Sequence, residues 1–189
     1  MMFQKVGLSS KTEAFGLEYI DALYGYALML TRNRSDAEDL VQETYVRALD
    51  AKDRLREDSN VKGWFFTILR NLWLNQLRKR KSEPHLVEID GQEGGADYLS
   101  GNTPSSDEIL VAKEDVEQVR FAIRQLSPEF QEVIHLREFE ELSYQQIAIV
   151  LSCPTGTVMS RLGRARAKLR ALLTPTWSQT ASSGKDSRS

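Results

Sequence analysis

Between Glu83 and Ser106 the chain reads "EPHLVEIDGQEGGADYLSGNTPSS". Glycine, proline, serine and acidic residues dominate it, and no apolar periodicity survives. Structureless stretches of roughly two dozen residues are too long for a loop inside a compact domain. The segment therefore reads as a flexible acidic linker. A chain of 189 residues divided this way must build two small hydrophobic cores, each from the residues on one side.

Both sides read as helical. "EAFGLEYIDALYGYALMLT" carries Phe15, Tyr19, Ile20, Leu23, Tyr26, Ala27 and Leu30 at helical spacing. "SDAEDLVQETYVRAL" offers Ser35 with Glu38 three residues on, the form of a capping box, then Leu40, Val41, Tyr45 and Leu49 as its apolar face. A third helix is expected from about Asn60 to Lys81. Beyond the linker, "DEILVAKEDVEQVRFAIRQL" is amphipathic, Ser127-Pro128 stops it and opens "EFQEVIHLREFEEL", and Ser143 with Gln146 caps "YQQIAIVL". No stretch alternates apolar and polar residues long enough for a strand. The expected fold is all-α: a helical domain over 1–82, the linker over 83–106, a four-helix domain over 107–173, and a disordered tail over 174–189.

"LSYQQIAIVLSCPTGTVMSRLGRARAKL" has the spacing of a helix-turn-helix, with Ala148 small where two helices approach and Pro154 and Gly156 at the turn. On a wheel of about 100° per residue, Val158, Leu162, Ala165, Leu169 and Leu172 fall together as the core face. Ser160, Gly163, Arg164 and Ala167 point the opposite way, with Met159 and Arg161 on the flanks. Small residues let a helix sit deep in a groove, and arginine can make paired hydrogen bonds to a guanine edge. Arg161, Arg166, Lys168 and Arg170 are better placed for phosphates, which position a protein without reading sequence.

"GWFFTILRNLWLNQLRKRK" places large aromatics and an aliphatic stripe before a block of cations, Arg78, Lys79, Arg80 and Lys81. Single-stranded nucleic acid is held by rings stacked on bases and by cations along the backbone. Phe65, Ile68, Leu69 and Leu72 share one face and read as core; Trp64, Arg70, Asn71, Trp73 and Asn75 include the exposed candidates. Trp64 is equally readable as a packing residue.

The net charge of −2 conceals a segregation. Residues 1–82 hold 14 Lys/Arg against 11 Asp/Glu, residues 83–117 hold 1 against 10, and residues 142–183 hold 5 against none, so an acidic segment separates two basic ones. One cysteine, Cys153, excludes an internal disulfide and fits a reducing compartment. With Cys153 and two histidines none of which is ligand-spaced, no metal is expected. There is no signal-peptide core, no membrane-length apolar run, no nucleophile–base pair and no phosphate loop. The expectation is a cytoplasmic protein that is not an enzyme and needs no cofactor.

"SDAEDLVQETYVRAL", "GWFFTILRNLWLNQLRKRK" and the helix-turn-helix segment, in this order and spacing over about residues 14–173, resemble bacterial RNA polymerase sigma factors of the extracytoplasmic-function (ECF) group, within the sigma-70 family. The resemblance implies a transcription initiation factor of stress response, with a region-2-like first domain and a region-4-like second. "DAEDLVQET" then matches the segment that docks on the clamp of the largest catalytic subunit of core polymerase, making Asp36, Asp39, Leu40, Gln42 and Glu43 polymerase-facing; the second domain would meet the flap. Trp64, Arg70, Asn71, Asn75 and Arg78 to Lys81 match the part that melts and reads the minus-ten element. Thr155, Thr157, Met159, Ser160, Arg161, Gly163, Arg164 and Lys168 match the minus-thirty-five reader. Many relatives carry a basic residue where Met159 stands and a bulky one at Gly163, which leaves the promoter sequence open. An anti-sigma factor is a further expected partner, and the linker would thread the polymerase channels. Two readings of another class remain at this point: a duplex-binding regulator that ignores polymerase, which leaves the acids of 36–43 without a role, and a basic amphipathic membrane anchor, which leaves the helix-turn-helix without one.

Overall fold

The computed structural model describes residues 15–55, 60–82 and 106–183, with side chains of the last stretch described over 115–174. The chain divides into two compact units, Met1–Tyr98 and Leu99–Ser189. Among the described residues all regular structure is helical.

The first unit is three helices: α1 (Ile20–Thr31), α2 (Arg34–Ala51) and α3 (Val61–Ser82), with 3-10 turns at Leu17–Tyr19 and Lys52–Arg54. The helix expected through Phe15 is interrupted at Gly16, whose φ of 76° starts the 3-10 turn. A Cβ there would collide with the Phe65 ring, so both the backbone angle and the close approach demand glycine. Ile20, expected in the core, is 44% exposed. α1 ends at Arg32, left-handed at φ 56°, whose N–H bonds Leu28 O at 2.9 Å. The next residue but one opens α2, and the cap is Asn33 rather than Ser35: its Oδ1 accepts the Asp36 N–H at 3.0 Å. The short reversal at Arg32 leaves Asn33 extended two residues earlier than the capping-box pattern suggests. Asn60 starts α3 in the same manner, accepting from Gly63 N at 3.1 Å.

The core of this unit is an aromatic cluster around Phe65, fully buried, with rings of Phe15, Tyr19, Tyr45 and Trp64 at centroid distances of 5.7, 6.0, 5.1 and 5.5 Å. Phe66, left out of the expected stripe, is equally buried and meets Tyr26 at 5.2 Å, whereas Ile68 is only half-buried. Leu49 is exposed and Thr44 takes its place in the α2 stripe, its hydroxyl satisfied by Leu40 O at 2.7 Å.

The second unit contains α4 (Ser106–Arg124), α5 (Pro128–Ile134) continued by a π-helical turn (His135–Phe139), α6 (Tyr144–Leu151) and α7 (Thr155–Ser183). Pro128 opens α5 as expected. The preceding turn is closed by buried Gln131, whose Nε2 donates to Arg124 O at 3.2 Å and Leu126 O at 2.8 Å. The capping box of α6 is complete, with Gln146 N to Ser143 Oγ at 3.2 Å and Ser143 N to Gln146 Oε1 at 2.7 Å. Between α6 and α7 the left-handed residue is Ser152, φ 51°, and not a glycine; Cys153 N then bonds Ala148 O at 3.0 Å. Gly156 lies in the first turn of α7, where a Cβ would meet nothing within 4 Å. α7 packs against α4, α5 and α6 through Val158, Leu162 and Ala165, all buried, with Leu169 half-buried and Leu172 exposed.

α7 continues to Ser183, past Pro175, where the disordered tail was expected to begin at 174. A proline removes one donor from the helical ladder without reversing the chain. The apolar periodicity ends near Leu173, so the backbone outlasts its sequence signal. The linker over 83–105 and residues 184–189 lie outside the described residues.

Candidate nucleic-acid and polymerase interfaces

The face of α7 opposite its buried stripe is open. Ser160, Gly163, Arg164 and Ala167 are exposed, Met159 is 55% exposed, and a Cβ on Gly163 would meet nothing within 4 Å. Thr155 and Thr157 are half-buried at the helix start, and the Ser160 hydroxyl donates back to Thr157 O at 3.0 Å. Arg164 makes no ion pair or hydrogen bond among the described residues. Arg170 is likewise exposed, but the three other cations of the helix behave differently. Arg161 reaches Glu129 at 3.5 Å, Lys168 stands 5.1 Å over the Phe130 ring, and Arg166 donates through Nε and Nη2 to Glu138 Oε1 at 3.0 and 2.6 Å. Donating to Glu138 raises the Arg166 pKa above its ordinary value. Glu129 and Glu138 carried no sequence signal, because each meets α7 only through the packing of α5 and its π turn on that helix.

On α3, the expected strand-contacting residues do not share one environment. Asn71 and Asn75 are exposed, and Asn75 Oδ1 accepts from Arg78 Nη1 at 2.9 Å. Lys79 and Lys81 are exposed and Arg70 is half-buried. Trp64 is half-buried, edge-on to Phe15 at 6.3 Å and to Phe65 at 5.5 Å, so its ring belongs in part to the aromatic cluster. Arg80 pairs with Asp36 of α2 at 3.1 Å and lies 5.8 Å from the Trp73 ring centre. One ion pair thus joins a residue expected to face polymerase to one expected to face DNA.

The acidic face of α2 presents Asp39 and Gln42 exposed, Asp36 and Glu43 half-buried, with Glu43 tied to Arg47 at 2.8 Å. Leu40 has to be corrected: it is 0% exposed and packs in the core with Ala37, Val41, Thr44 and Ala48. Its place one turn from Ala37 and Thr44 puts it on the inner stripe, out of reach of any docking partner.

Comparison with known proteins agrees with this geometry. Sigma-70 region 2 matches residues 17–83 and sigma-70 region 4 matches residues 117–169. The chain is 38% identical over 157 residues to the ECF RNA polymerase sigma factor EcfG of Rhodopseudomonas palustris, covering 83% of this chain and 82% of that one. It is 33% identical to the ECF RNA polymerase sigma-E factor of Escherichia coli (strain K12), covering 82% and 83%. Among solved structures it resembles the sigma factor RpoE of Bartonella quintana in complex with the anti-sigma factor NepR, at TM-score 0.61, 31% identity and coverage of 87% and 96%. It also resembles CnrH in complex with the cytosolic domain of CnrY, at TM-score 0.56, 27% identity and coverage of 88% and 91%. Two helical units carrying regions 2 and 4 in this order, with relatives of this identity along most of the chain, place the protein in the ECF group of RNA polymerase sigma factors, initiation factors that direct polymerase to promoters.

Proposed function

We propose that the two units divide promoter recognition between them, the first over residues 1–82 and the second over 107–173. The observation that carries this reading is the face of α7, where Arg164 stands unpaired among small residues with Met159 beside them. α7 enters the major groove at the minus-thirty-five element, Arg164 reads a base edge, and Lys168 contacts phosphate. On α3, exposed Asn71 and Asn75 hold the separated strand at the minus-ten element, and Arg78 to Lys81 anchor the adjoining duplex. Trp64 contributes the edge its packing leaves accessible. Asp36, Asp39, Gln42 and Glu43 dock on the polymerase clamp, and the second unit meets the flap.

The protein acts in the cytoplasm and not as an enzyme; among the described residues no helix is long and apolar enough to cross a membrane. Because the structurally similar sigma factor RpoE is found in complex with the anti-sigma factor NepR, an anti-sigma factor is the expected regulator.

Run-off transcription with core polymerase, with genome-wide mapping of start sites, tests the reading. Transcripts that depend on the protein should share two upstream elements. Asp39→Arg combined with Glu43→Arg should abolish both core pull-down and these transcripts, since reversed charges would meet a basic clamp surface. Undiminished capture of core by the double variant removes the docking assignment.

A further inference from the structure

Both flanks of α7 are held by its own domain. At about 100° per residue, Arg161 and Lys168 lie on one side of the exposed face and Arg166 on the other. The first side meets Glu129 and Phe130 of α5, and the second meets Glu138 in the π turn. A helix seated in the major groove has a phosphate wall along each flank, and cations there supply affinity for any sequence. In this domain these three cations are already engaged, while the reading face between them and Arg170 beside it are open.

We propose that Glu129 and Glu138 are specificity-determining residues, intrachain stand-ins for phosphate that hold Arg161 and Arg166 away from the backbone of non-promoter DNA. The inference rests on α7 as the DNA-facing helix. The pairs are suited to exchange: side chains of Arg166 and Glu138 are 46% and 45% exposed, and those of Arg161 and Glu129 are 29% and 53% exposed. Ion pairs this accessible to water are weak and screened by salt. A correctly placed phosphate can therefore replace the carboxylate, whereas a poorly placed one gains little from doing so. The effect lowers binding to every sequence and lowers it least where the reading face fits.

The test uses the full chain, a promoter duplex and a scrambled duplex of equal length, over a salt titration. Glu138→Gln should raise affinity for the scrambled duplex about 3–5-fold at low salt and steepen its salt dependence by about 0.9, the increment for one added phosphate contact. Affinity for the promoter should rise less, so the ratio between the two falls. Glu129→Gln, at a looser pair, should act in the same direction and carries little risk of misfolding. Glu141→Gln removes the same charge from an exposed position outside these pairs and controls for net charge. An increase beyond that control, with the steeper slope, supports the proposal. An increase no larger than the control, or no increase from either variant, overturns it, as does a fall in affinity with unchanged slope, which marks the pairs as struts. If Lys168→Ala and Arg164→Ala also leave binding unchanged, the failure lies in the placement of α7 and not in these carboxylates.

Discussion

Gly16 answers two demands at once, a left-handed backbone angle and the Phe65 ring lying where a Cβ would go. Gly163 answers neither, since it is helical and open. Replacing each by alanine should therefore have opposite signs. Gly16→Ala should destabilise the first unit by about 2–3 kcal/mol, seen as a lower urea midpoint by fluorescence of Trp64 and Trp73. Gly163→Ala should stabilise the second by about 0.5–1 kcal/mol while weakening promoter binding, because the added methyl stands on the proposed reading face. Tyr45 offers a pH signature. Burial foremost, then the negative charges of Glu18, Asp21 and Tyr19, push its phenol up to about 12, and its hydroxyl donates to Gly16 O. The neutral form is the one the fold favours. Its stabilisation is complete below the unfolded pKa of about 10 and is lost as pH rises through the folded value. Urea titrations of Tyr45→Phe should lack the part of the alkaline decline that the wild type shows between these limits.

The helices differ in how far their neighbours decide their use. The capping box at Ser143 and the proline start at Pro128 were legible because each signal spans three or four residues of chain. The α2 cap was not, since Asn33 gains its extended conformation from the left-handed reversal at Arg32. Likewise the inner stripe of α2 was read with Leu49 in place of Thr44, whose hydroxyl is buried only because Leu40 O accepts it. On α7 the core face was legible for Val158, Leu162 and Ala165, and the open face followed from it. The engagement of its flanking cations did not, because it depends on α5. This difference has a measurable consequence. Arg164→Ala should reduce promoter affinity by about 1–3 kcal/mol and relax selection at one base pair. Lys168→Ala should weaken all duplexes alike and flatten the salt dependence. Equal losses from both variants on promoter and scrambled DNA would reverse the assignment of reader and anchor.

Across the molecule the proposed roles would be ordered in time. Asn71 is proposed to act once strands part, and the cations of 78–81 to act on the duplex before that. Asn71→Ala should leave closed-complex affinity nearly intact and lower permanganate reactivity of the minus-ten region. A template with a pre-melted bubble should restore much of the loss, since unpairing a base costs a few kcal/mol that the variant no longer has to offset. Arg78→Ala with Arg80→Ala should weaken the closed complex instead, with incomplete rescue by the bubble. Equal defects of Asn71→Ala on both templates would sink the strand-capture role. Arg80 also links two surfaces through Asp36, so a double-mutant cycle on this pair, read in core binding, measures whether docking and DNA anchoring are coupled.

By itself the sequence determined the helices, their order, the division into two cores and the helix-turn-helix, because periodicity, caps and turn residues act within about one helical turn. Only the tertiary structure decided which residues those helices present to each other. Arg80 finds Asp36 across 44 residues, Arg166 finds Glu138 across 28, and Tyr45 finds the Gly16 carbonyl across 29. Such pairings depend on the angle at which helices cross and on how far a side chain reaches over the crossing. No local pattern encodes either quantity, and they are what withdraw Leu40 from the surface and leave Arg164 unpaired on it.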